Sequence, residues 1–151
     1  MTQKIKACLW FDGNGEEAAR FYVAAFAGRG DSAVTSVTPG PTGAALVVAF
    51  RLAGVDFLAL NGGPHFKFNE AISLSVDCQS QEELDDLWEK LSAGGDPNAQ
   101  QCGWLKDRYG LSWQIVPAVL PKLLADPARA GRVMAVLMGM KKLDIRALEA
   151  A

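Results

Sequence analysis

Two stretches of this chain carry the same helix-opening pattern at an offset of 66 residues, the distance from Asn14 to Ser80. At that offset Glu17 falls on Glu83, Ala18 on Leu84, Phe21 on Leu87, Tyr22 on Trp88 and Ala25 on Leu91. Each stretch opens with a polar cap followed three residues later by a glutamate, the capping-box spacing, and continues with bulk on one helical face. A strand-like alternation precedes each one. Ile5, Ala7, Leu9 and Phe11 alternate with Lys6, Cys8 and Trp10, while Ile72, Leu74 and Val76 alternate with Ser73, Ser75 and Asp77. After the first helix come three β-rich runs, Ser32 to Thr38, Ala44 to Leu52 and Val55 to Asn61, joined by Pro- and Gly-rich turns. After the second come shorter extended pieces near Gln100 to Asp107 and Leu111 to Val116, turned by Arg108-Tyr109-Gly110. The expected fold class is therefore α+β: two βαβββ modules, spanning 1–62 and 70–116, that arose by duplication. A repeat present only twice excludes a solenoid. Residues 117–151 read as a C-terminal helical extension, with Val133, Leu137 and Met140 forming an apolar stripe flanked by Met134 and Met138. Such a stripe is either core or the contact face for a partner subunit.

Composition narrows the function classes. The chain has 151 residues, 50% hydrophobic and 21% charged, with 15 Lys and Arg against 17 Asp and Glu. A net charge of −2 offers no basic surface for a nucleic-acid backbone or an anionic membrane. The expectation is no nucleic acid and no membrane. Cys8, Cys78 and Cys102 show no Cys-x-x-Cys spacing and cannot all pair, which fits a reducing, cytoplasmic setting. The opening residues hold no apolar run of signal-peptide length.

Three motifs bear on chemistry. Gly13-x-Gly15-x-x-Ala18 sits between strand and helix as a dinucleotide fingerprint would, but Glu16 and Glu17 stand where a pyrophosphate would approach. The glycines read as a turn. His65 is the sole histidine, in the connecting stretch Asn61-Gly62-Gly63-Pro64-His65-Phe66-Lys67-Phe68-Asn69-Glu70. Its functional reading, against that of an ordinary loop histidine, rests on the titratable groups of Lys67 and Glu70 nearby; His65 and Glu70 are the candidate acid and base. No second histidine is available for a triad or a two-His metal site. In the hairpin pattern from Cys102 to Pro117, Gln114 alternates with Trp113 and Ile115 and so faces the other side of the sheet. Lys6, Cys8, Trp10, Ser73, Ser75 and Gln114 would then line one semi-polar, aromatic surface, a composition suited to a small-molecule cleft.

The segments Leu9-Trp10-Phe11-Asp12-Gly13-Asn14, Asn61 to Leu74, Gln101 to Asp107 and Leu111-Ser112-Trp113-Gln114 resemble the PhnB-like group of the vicinal oxygen chelate superfamily, and the likeness extends into the tail. This group often carries the label 3-demethylubiquinone-9 3-methyltransferase domain; its relatives include glyoxalase I, extradiol dioxygenases, fosfomycin-resistance enzymes and bleomycin-binding proteins. The resemblance implies paired βαβββ modules forming a curved mixed sheet, usually in a homodimer, with a cleft inside the curve. Metal-dependent members place His, Gln or Glu ligands at positions that fall near Lys6, near Phe57, at Ala71 beside Glu70, and at Gln114. Of these only Gln114 and Glu70 have lone pairs to offer, so no metal and no cofactor is expected.

The function expected from these residues is metal-free binding of a small, partly aromatic organic molecule. Trp10 and Trp104 would stack on it, with Lys6, Cys8, Ser73 and Gln114 around it. The alternatives are an enzyme using His65 or Glu70 as acid or base, the methyltransferase activity of the family label, metal-dependent glyoxalase- or dioxygenase-type chemistry, and a scaffold whose cleft is vestigial.

Overall fold

The computed structural model describes residues 2–151, which form two compact units, one ending at Phe68 and the other running Asn69–Ala151. In the first unit, β1 (Ala7–Phe11) is followed by α1 (Gly15–Ala25), β2 (Ala33–Pro39), β3 (Ala45–Leu52) and β4 (Val55–Asn61). The sheet order is β1-β4-β3-β2, with β1 parallel to β4 and the other pairs antiparallel. Helix α1 covers one face. Its Ala18, Ala19, Tyr22 and Ala25 are buried with Leu9 and Phe11 of β1, Val48, Phe50 and Leu52 of β3, and Phe57 and Ala59 of β4. Tyr22 stacks on Phe50 and Phe50 on Phe57, with centroids 6.2 and 5.5 Å apart. Burial of each large apolar side chain contributes about 1.5–3 kcal/mol before the entropy of ordering it is subtracted. Ile5, expected on the core face, precedes the paired strand and is 85% exposed.

The second unit repeats the core of that topology. β5 (Ser73–Cys78) leads into α2 (Gln81–Ser92), followed by β6 (Trp104–Lys106) and β7 (Ser112–Pro117) in the order β5-β7-β6. β5 is parallel to β7, as β1 is to β4, and β6 is antiparallel to β7, as β3 is to β4. Leu84, Leu87, Trp88 and Leu91 of α2 are buried, as are Leu105, Trp113 and Ile115 of the strands. The mixed α+β architecture and the duplicated order match the sequence expectation. The second module is one strand shorter: two strands follow α2, and Pro97–Ala99 makes a single 3-10 turn where an extra strand would have to lie. Gly94, Gly95 and Pro97 bring the chain round within a few residues, and proline has no amide for a ladder.

The two helix starts are built differently. Ser80 Oγ accepts from the Glu83 amide at 3.1 Å, and the Glu83 carboxylate accepts from the Gln79 amide at 2.8 Å. The expected box at Asn14 and Glu17 does not form: Asn14 makes no side-chain cap bond and has φ −107°, ψ 23°, away from the extended geometry of a cap. Instead the Asn61 side chain accepts from the Gly15 amide at 2.7 Å and donates to the Ala45 carbonyl at 3.0 Å. A residue distant in sequence thus takes the capping role.

The C-terminal extension comprises α3 (Leu120–Ala125), α4 (Ala130–Met138) and α5 (Ile145–Ala150). It is stitched to its own unit. Gln81 donates to the Leu143 carbonyl and accepts from the Ile145 amide, at 3.0 and 2.8 Å. The Cys102 and Gly103 amides donate to the carbonyls of Met140 and Lys141, both at 2.8 Å. Leu143 and Leu148 are fully buried. The Asp85 carboxyl is held below the ordinary aspartate range, first by the Gln81 amide and then by Lys142 at 3.0 Å. The apolar stripe of α4 divides: Val133 and Leu137 are core, whereas Met134 and Met138 are exposed. Among the described residues no helix is long and apolar enough to cross a membrane.

Candidate functional site

Each sheet has one face that its own helix does not cover, and the expected site residues lie mostly there. In the first unit Cys8 stands opposite Leu58, and Trp10 opposite Leu60, so all four project away from α1. Val47 and Ala49 of β3 extend this apolar face through their pairing with Leu60 and Leu58. Cys8 is exposed and Trp10 is partly exposed. The Trp10 indole is already engaged: Nε1 donates to the Gly63 carbonyl at 2.9 Å and Phe66 packs edge-on with centroids 4.8 Å apart. A Cβ at Gly62 would lie 2.3 Å from the indole, so only glycine lets the backbone pass this close. Lys6 is exposed just before β1, and His65 is exposed in the turn after Pro64.

In the second unit the register brings three of the expected residues together. On β7, Gln114 pairs with Trp104 of β6 on one side and Ser75 of β5 on the other. The next row toward the start of β7 is Lys106, Ser112 and Ser73. Alternation puts both rows on the face turned from α2, because Leu105, Trp113 and Ile115 occupy the core side. Gln114 Nε2 donates to Ser73 Oγ at 3.0 Å, which fixes the amide. Lys106 forms an ion pair with Glu70, and its hydrogen bond and charge hold the Glu70 carboxyl below the usual glutamate range. Ionised Glu70 can accept a proton but carries none to donate. Ser112 Oγ is buried and finds no hydrogen-bond partner among the described residues.

The support under these rows was missed in the sequence. Buried Asp107 accepts from the amides of Tyr109 and Leu111 through Oδ1, and from Trp113 Nε1 at 2.8 Å through Oδ2. The stretch Asp-Arg-Tyr-Gly carries an Asx-turn signal, an aspartate whose side chain accepts two residues on. The bond to Trp113 has no local signature.

The donors do not suit a resident metal. Phe57 faces the α1-covered core, Ala71 and Leu58 offer no lone pair, and Lys6 is a cation. Glu70 and Gln114 already hold Lys106 and Ser73. No group of three His, Cys, Asp or Glu side chains able to hold a metal occurs among the described residues. A nucleoside cofactor such as the methyl donor of a methyltransferase is equally ill-suited to the glycine turn. The Gly15 amide, which would face a phosphate or ribose, is taken by Asn61, and Glu16 follows it. Two further cavities lie apart from these faces. One of about 720 Å³ is lined by Gln79, Ser80, Lys142, Asp144 and Arg146, and one of about 370 Å³ by Glu16, Pro41, Leu46 and Asn61.

The model of the family 3-demethylubiquinone-9 3-methyltransferase matches residues 3–116. Among solved structures, the PhnB protein of Bacillus cereus, which carries the same methyltransferase description, is 32% identical, with 76% of this chain and 98% of that one covered at a TM-score of 0.65. A glyoxylase/bleomycin resistance protein/dioxygenase domain from Frankia is 18% identical, covering 78% of this chain and 93% of that one at TM-score 0.54. A fosfomycin resistance protein from Listeria monocytogenes is 14% identical, covering 78% and 91% at TM-score 0.51. These last two share the fold. No curated protein matches the chain.

Proposed function

Because the chain belongs to the PhnB-like, 3-demethylubiquinone-9 3-methyltransferase group of the vicinal oxygen chelate superfamily, and because its residues do not suit that superfamily's metal, we propose that it binds a small, partly aromatic organic molecule without one. The observation that carries this reading is the cross-strand row Trp104, Gln114 and Ser75, on the face that α2 leaves uncovered. It sets an aromatic plane beside an amide pinned by Ser73. A flat ligand gains area on the indole, while a fixed amide supplies one oriented donor–acceptor pair, the mixture small-molecule sites use. Among the described residues Cys8, Cys78 and Cys102 form no disulfide, which supports a cytoplasmic setting, and the family resemblance supports a homodimer.

The test is a thermal-shift screen of small aromatic molecules on wild type, Trp104→Ala and Gln114→Ala. Compounds that raise the wild-type melting temperature are expected to lose most of that shift in both variants. Shifts that survive both substitutions would overturn the assignment of the site.

A further inference from the structure

The two rows on the uncovered face of β5-β7-β6 differ in chemistry. One is aromatic and amide; the other, Lys106, Ser112 and Ser73, is rich in donors. Lysine ammonium has only donors. Ser73 Oγ already accepts from Gln114, so its own hydrogen is left to donate elsewhere. Ser112 Oγ is buried and has no hydrogen-bond partner among the described residues, an unfavourable state that an incoming acceptor would relieve. The acceptor present at this end is the carboxylate of Glu70, ion-paired with Lys106. The Glu70 side chain is 62% exposed, and an ion pair with so exposed a partner is held only weakly, so another carboxylate can replace it. The rows are two residues apart along the strands, about 7 Å.

Resting on the binding function proposed above, we propose that the ligand is an organic carboxylate: its head takes donors from Lys106, Ser112 and Ser73 and displaces Glu70, while its flat apolar body lies along Trp104 and Gln114. Glu70 is then a stand-in for the ligand's own head group. A carboxylate fits because it is acceptor-only, with about four lone-pair sites to meet the converging donors.

The experiment compares 3-phenylpropionate with its neutral analogue 3-phenylpropionamide, by amide NMR titration of wild type, Glu70→Gln and Lys106→Met. In wild type the acid is expected to bind at least about tenfold tighter than the amide, with shifts at Ser73, Ser112 and Gln114. Glu70→Gln removes the competing carboxylate and should tighten the acid several-fold, leaving the amide unchanged. Lys106→Met should abolish the difference between the two. If the amide binds at Trp104 and Gln114 as tightly as the acid, the carboxylate inference fails and the binding face stands. If neither compound moves these residues at millimolar concentration, both readings fail. Glu70→Gln lies in an exposed pair and decides the matter even where Lys106→Met unfolds.

Discussion

Replacing Asp107 with alanine is expected to lower stability by about 3–5 kcal/mol, more than any surface substitution in this chain. The reason is the number of donors left behind. The Asp107 carboxylate is 2% exposed and accepts from two backbone amides and from the indole N–H of Trp113, itself 1% exposed. Alanine offers none of these acceptors, and buried donors without partners carry their full desolvation cost. At about 2–4 °C per kcal/mol for a chain of this size, the melting temperature should fall by roughly 6–20 °C. Asp107→Asn keeps an oxygen for the two amides but turns an NH₂ group toward the indole N–H, so it should cost about 1–3 kcal/mol. Differential scanning calorimetry of the two variants checks the order. An alanine variant within about 0.5 kcal/mol of wild type would mean that the Asp107 bonds do not hold the hairpin, since substitutions away from such features fall in that range.

The second large effect is expected at Gly95. A Cβ there would lie 2.1 Å from the carbonyl oxygen of Lys106 and 3.2 Å from the carbonyl carbon of Asp107, both backbone atoms that cannot swing aside. β6 is only three residues long, and its Lys106 is paired with Ser112, so the strand must move bodily or the preceding loop must lift. Gly95→Ala should therefore cost about 1–3 kcal/mol or more through overpacking. It should also shift the amide resonances of Lys106, Asp107 and Ser112. Gly110→Ala is the matched comparison: φ is +86° with nothing within 4 Å of the added Cβ, so it carries only the left-handed backbone penalty of about 1–2 kcal/mol. Chemical denaturation of both variants separates the two causes. Unmoved Lys106 and Ser112 resonances in Gly95→Ala would contradict the close approach.

What the sequence disclosed follows the range of the interactions. Alternation located β1 and β5, β-rich runs between turns located the other strands, and i, i+3, i+4 bulk located α1 and α2, because all these signals are local. Alternation also placed Ser73, Ser75 and Gln114 on one face, since the parity of a strand position is fixed once Trp113 and Ile115 are core, whereas the pairing of Trp104 with Gln114 emerged only from the register. The capping of α1 was hidden, because Asn61 reaches Gly15 only once β4 has paired with β1. The shortness of the second module was visible, since only two extended pieces follow its helix, and it was the duplication alone that suggested a third strand there. Trp10 looked free to stack, but Gly62 and Gly63 let the chain close on it. The division of the methionine stripe depends on which side of α4 meets α3 and α5, which periodicity alone does not specify.

The binding function proposed above gives the face of β5-β7-β6 a small aromatic ligand and no metal. It is tested most directly by titrating the isotopically labelled protein with a library of small aromatic compounds, with and without EDTA, and mapping the amide shifts. Compounds are expected whose shifts centre on Ser73, Trp104 and Gln114 and are unchanged by EDTA. Shifts that vanish with EDTA, or that centre instead on the cavity lined by Ser80, Lys142 and Arg146, would contradict it.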